Sequence, residues 1–199
     1  MKKMLLPVFV GSLSLMMLCS CVSGTAHVKQ ERFHRTGIGA QEKAVILLER
    51  CVDNNQRKDS EEKERELVDC LREAMIAGDR LIETLSANDF RATVFPGMKF
   101  ENAPRSPAAL LDWMNKDDVQ RRVSAMDVRY LIVVDIQNAP RRSIFRATVV
   151  DAKNRVASGT ASSDFVGGVG SSLPILSGAE REACTGLGKA VYNFITSEE

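Results

Sequence analysis

The sequence predicts an α/β (α+β) fold, with one mixed sheet of about five strands and helices packed against it. Ala44–Leu48 (AVILL) is a short unbroken apolar run, the pattern of a strand covered on both faces. Arg129–Ile136 (RYLIVVDI) puts Tyr130, Ile132, Val134 and Ile136 on one side and Leu131 and Val133 on the other. Both faces are apolar, so this strand belongs in the middle of the sheet. Glu61–Met75 and Ala179–Thr196 carry their apolar residues at helical spacing and supply the covering layer.

The domain is expected over residues 43–199. After Ala44–Leu48, Asp53–Ser60 reads as a polar loop, and the helix over Glu61–Met75 opens on Glu61, Glu62 and Glu64, suited to the positive end of a helix dipole. Gly78 supplies its stop. Arg80–Leu85 is a second short strand. Ser86 is an N-cap for the helix Ala87–Val94, with Asp89 as the acidic residue of a capping box. Phe95-Pro96-Gly97 ends it. Ser106-Pro107 then opens a helix with Ser as cap and Pro at the first helical position. Leu110, Leu111, Trp113 and Met114 give that helix an apolar side, and Asp118–Ala125 is a further short helix. Arg129–Ile136, Ser143–Asp151 and Arg155–Ala161, joined by turns at Asn138–Arg142 and Lys153-Asn154, read as an antiparallel meander. Ser162–Gly178, with Gly167, Gly168 and Gly170, is the irregular segment before the C-terminal helix.

Ahead of the domain, Lys2 and Lys3 precede the apolar run Met4–Leu18, the layout of a secretory signal over residues 1–20. The run is too short for a membrane span, which takes about 20 apolar residues. Leu18-Cys19-Ser20-Cys21 resembles the lipobox of bacterial lipoproteins. That resemblance implies a thioether-linked diacylglycerol on Cys21, cleavage just before it and an acyl chain (such as palmitate) on the new amino terminus. Val22 in place of an Asp implies sorting to the outer membrane, on its periplasmic side. Two or more chains anchor stably where one holds marginally, at ~0.8 kcal/mol per buried methylene. The bland alternative is an ordinary cleaved signal and a soluble periplasmic product. Residues 21–42 are polar without a sustained period and read as a lipidated tether.

The full chain has 199 residues and a formal charge of +1, and loss of residues 1–20 removes two lysines and no acid. So balanced a chain lacks the basic footprint of a nucleic-acid binder. Cys51, Cys70 and Cys184 match no metal-ligand spacing and have no His nearby, so no metal and no cofactor is expected. In an exported protein, one bridge and one spare thiol is the natural count. Cys70 sits beside the stripe Leu67, Leu71, Ala74, Met75, and Cys184 lies on the stripe Cys184, Leu187, Val191, Ile195. If those helices share a sheet face, Cys70–Cys184 is the preferred bridge. Three buried free thiols is the other outcome.

The run Val166–Ser172 (VGGVGSS) lacks the Lys and the spacing of a phosphate-binding loop and of a dinucleotide fingerprint. Both histidines, His27 and His34, precede the domain, so a Ser-His-Asp or Cys-His arrangement would need the tether to fold back. The order of elements over residues 43–197 resembles small periplasmic α/β domains, such as the amino-terminal domain of the Tol-system propeller protein and the periplasmic part of the curli-pore lipoprotein. The segments CLREAM, FRATVFPG and VRYLIVV are similar to stretches of proteobacterial lipoproteins that carry no assigned activity. Two readings follow. The first is a non-enzymatic envelope lipoprotein that engages a protein partner through a surface near Phe95, Phe100, Val166 and Ile175. The second is a small-ligand-binding or enzymatic domain with the helices over Asp112–Asp127 as a lid.

Overall fold

The computed structural model describes residues 25–33, 37–39, 41–49, 57–76, 81–99, 102–139, 142–166 and 178–196. The leader, Cys21, Cys51, Phe100, Ile175 and the glycines of the VGGVGSS run lie outside these residues. The chain forms β1 (Thr25–Arg32), β2 (Lys43–Leu48), α1 (Arg57–Ile76), β3 (Thr84–Leu85), α2 (Ala87–Val94), α3 (Pro107–Met114) and α4 (Asp117–Ala125). β4 (Val128–Ala139), β5 (Arg142–Asp151), β6 (Val156–Val166) and α5 (Gly178–Thr196) complete it.

The strands make one mixed sheet in the order β1-β6-β5-β4-β2-β3. β2 runs parallel to both β3 and β4, while β4, β5, β6 and β1 are antiparallel neighbours. The expected meander is therefore β4-β5-β6, and the strongest apolar strand is internal. The sheet has six strands where about five were expected. The extra one is β1, which pairs along its length with β6, from Thr25 opposite Val166 to Arg32 opposite Gly159. Residues 25–32, read from the sequence as tether, belong to the sheet. Their polarity hid them: Val28 packs on α5 at Gly186, while Gln30 and Arg32 on the same side bond to that helix. Gln30 Nε2 donates to the Ala190 carbonyl at 3.2 Å. Arg32 Nη2 donates to the Phe194 carbonyl at 3.1 Å, and the guanidinium carbon Cζ lies 4.8 Å from the centre of the Phe194 ring.

The alternation along β4 separates two cores. Tyr130, Ile132 and Val134 join Ala44, Ile46, Leu48, Phe145, Ala147 and Val149 under α1 and α5. Leu131 and Val133 join Val45, Leu47 and Val150 under α2, α3 and α4. The result is a helix–sheet–helix sandwich, which is why β2 and β4 are apolar on both faces. Fully burying each Val, Leu, Ile or Phe among them contributes about 1.5–3 kcal/mol.

Local chemistry sets the boundaries. Ser86 Oγ accepts from the Asn88 backbone N–H at 3.2 Å, and Ser106 Oγ accepts from that of Ala109 at 3.3 Å, with Pro107 behind it. α4 has no side-chain cap; Asp117 and Asp118 in its first turn complement the dipole. α1 starts at Arg57, four residues before the acidic turn that marked it in the sequence. β6 runs on to Val166, so Ser162–Asp164, expected to be irregular, are strand. Between β5 and β6 the register slips from Val149 opposite Gly159 to Val150 opposite Ala157, leaving Ser158 as the extra residue of a bulge. Its carbonyl accepts from the Phe33 N–H at 2.8 Å, so the bulge also fastens the end of β1.

Candidate functional site

α1 and α5 cross at small residues. A Cβ added to Gly188 would stand 2.6 Å from Ala74 Cβ and 3.0 Å from the Leu71 carbonyl oxygen, so only Gly allows this approach. One turn away on the same two helix faces sit Cys184 and Cys70. Each thiol docks on the helix of the other. Cys70 Sγ is 3.7 Å from both the Arg181 carbonyl and Thr185 Oγ1, and Cys184 Sγ is 3.6 Å from the Leu67 carbonyl. Both are free thiols with 4% and 0% exposure respectively. The two thiols face each other across this crossing. Donation from Cys184, helped by Thr185 and the Arg181 charge, lowers Cys70 from its ordinary 9.0 to about 7 against the opposing effect of burial. The same bond, with burial, pushes Cys184 up, so the pair shares a proton that Cys184 keeps.

A second polar cluster sits where β4 begins and β5 ends. Asp151, with 0% exposure, accepts from Arg129 Nη2 at 2.9 Å and from Asn154 Nδ2 at 2.9 Å through one oxygen. Its other oxygen accepts the backbone N–H groups of Lys153 at 3.0 Å and Asn154 at 2.9 Å. Arg129 Nη1 also faces Glu42 Oε1 at 3.7 Å. All the carboxylate's lone-pair directions are occupied and aimed at the β5–β6 turn, where Arg155 adopts φ 58°. This arrangement holds a turn and leaves no free oxygen to act as a base. Sequence reading missed it because Arg129 and Asp151 are twenty-two positions apart and each resembles an ordinary strand end.

Of the four residues expected to form a partner surface, Phe95 does not belong to one. It is 5% exposed and packs edge-on against Phe90 at 6.3 Å and Trp113 at 5.5 Å between ring centres. An apolar ring following α2 found core because α3 and α4 fold back over it. Val166 closes β6 opposite Thr25 and Arg142, while Phe100 and Ile175 lie outside the described residues. The helices considered as a lid form a packed layer: Leu110, Met114, Val119 and Val123 are buried against Val45, Leu47, Leu131 and Val133. Trp113 is half-buried in this layer, with Lys116 Nζ 3.5 Å from its ring centre.

Beyond that layer the same sheet face is mostly polar, with Ile144 of β5 as an apolar member. Arg146 and Thr148 of β5, Thr160, Ser162 and Asp164 of β6, and Lys29 and Glu31 of β1 share it, and none is buried. Helices pack on β6 and β1 from the α5 side. Among the described residues, no helix is long and apolar enough to cross a membrane, and no group of three or more His, Cys, Asp or Glu is placed to hold a metal ion.

Fold and surfaces together define, among the described residues, a helix–sheet–helix α/β domain whose antiparallel half carries helix α5 on one face and polar side chains on the other. The solved structures it resembles include the PelC dodecamer from Paraburkholderia phytofirmans, at 13% identity over 87% of this chain and 100% of that one, with a TM-score of 0.43. A variant of the same PelC gives 12% identity and a TM-score of 0.44. TolB from Acinetobacter baumannii gives 11% identity over 86% of this chain, with a TM-score of 0.39, and the match spans 31% of TolB. No protein-family model matches the chain, and neither does any curated protein.

Proposed function

We propose that this chain is a lipid-anchored envelope protein, acylated on Cys21, whose domain serves as a non-enzymatic protein-interaction module on the periplasmic side of the outer membrane. The observation that carries the reading is the leader itself: a cationic start, an apolar run too short to span, and Leu18-Cys19-Ser20-Cys21 at its end. The fold supports it through distance. Thr25, the first residue of β1, follows Cys21 by four positions, a reach of about 13–14 Å when fully extended. Lipid on Cys21 therefore holds the domain close to the bilayer, with the row Thr25, Val166, Arg142 and Ala139 nearest to it. The polar face of β5, β6 and β1 then stands beside the anchor, available to a partner in the envelope.

The test is the mass of the amino-terminal peptide of the purified native protein, together with fractionation of a Cys21→Ala variant. Acylation in the first and loss of membrane retention in the second are expected. An unmodified thiol on residue 21, or unchanged retention of the variant, refutes the anchor.

A further inference from the structure

We propose that Cys70 and Cys184 close into a disulfide that fastens α1 to α5 once the protein has been exported. The inference takes only the exported location from the reading above and does not depend on acylation. Three observations carry it. The two cysteines occupy facing positions at the closest crossing of the helices, set by Gly188 against Ala74. Their hydrogen bonds are reciprocal, each sulfur resting near the carbonyl three residues before the other cysteine. Both thiols are buried in the core that α1 and α5 share, and both are free to pair.

The more acidic sulfur is also the one nearer solvent, so the order of events follows. Cys70, as thiolate, displaces one sulfur of an exported protein disulfide and forms a mixed disulfide. Cys184 then attacks the Cys70 sulfur, breaks that bond and releases the oxidant as a dithiol. Two electrons and two protons pass to the oxidant, and one S–S bond replaces another. The closed loop ties together helices from opposite ends of the folded chain, the case in which a cross-link most restricts the unfolded state.

The experiment uses the full chain, with thiols alkylated at lysis, digested by trypsin without reductant. The peptide Glu66–Arg72 is expected to be joined to Glu182–Lys189. Purified reduced protein treated with oxidised glutathione should give the same pair, with two glutathione thiols released. Alkylated Cys70 and Cys184 in both preparations, glutathione adducts alone, or a link from either to Cys51 would overturn the proposal. Oxidised protein is further expected to melt on the order of 10 °C above reduced protein, with no such difference in a Cys70→Ala variant. Equal melting points overturn the fastening role. Failure of acylation would show on the Cys21 peptide alone, so the two readings are separable.

Discussion

Arg129 donates to Asp151 at 2.9 Å from a position where the carboxylate has no exposed surface at all. Removing one partner of such a pair leaves the other buried and unmatched. Asp151→Ala is expected to cost about 3–5 kcal/mol, read as a lower midpoint in urea unfolding. Asp151→Asn, which keeps the size but not the charge or all four accepted bonds, should fall between it and the natural protein. A change below 1 kcal/mol for the Ala variant would show that the cluster does not hold the turn.

Gly188 faces Ala74 and the Leu71 carbonyl, neither of which can swing aside. Gly188→Ala should therefore push α5 off α1 and cost about 1–3 kcal/mol, although Ala is the better helix former. An unchanged or raised melting temperature would mean that the helices have room the structure denies them.

With reductant present, the thiol pair makes stability depend on pH. Cys70 releases its proton at about 7 in the folded protein and at 9.0 when unfolded. Between those values the unfolded chain holds the extra proton, so raising the pH favours folding. The reduced protein should gain stability from pH 7 toward 9 and lose that gain as pH falls through 7. Cys184, pushed the other way, keeps its proton across this window. Thermal melts of the natural protein and Cys70→Ser at several pH values check this; parallel profiles would refute it.

Phe95 links Phe90 to Trp113. Phe95→Ala should cost about 3–5 kcal/mol and shift the emission of the only tryptophan toward the red as water reaches its ring. Wild-type stability with unchanged emission would return Phe95 to the surface.

What could be read from the chain was apolar pattern. β2, β4 and β5 announce their faces through runs such as Ala44–Leu48, and two helix starts were legible in Ser86 and Ser106 because caps are local chemistry. β1 and the end of β6 were not, because Gln30 and Arg32 pack through hydrogen bonds to α5 and Ser163 is a polar residue buried whole. Tertiary contacts there override the period that a strand normally shows. The juxtaposition of Cys70 and Cys184 was conditional on two helices sharing a sheet face, and they do. The Asp151 cluster depends on register between β4 and β5, which apolar runs do not specify.

The eight residues of β1 cover one side of β6. A shortened version trimmed to begin at Lys43 would leave the eleven-residue β6 as a bare margin of unpaired N–H and C=O groups. Chains so trimmed would recruit one another strand to strand and come out of solution. With β1 in place the edge of the sheet is a strand carrying the charges of Lys29, Glu31 and Arg32, which blunt the strand-to-strand pairing that β6 would invite.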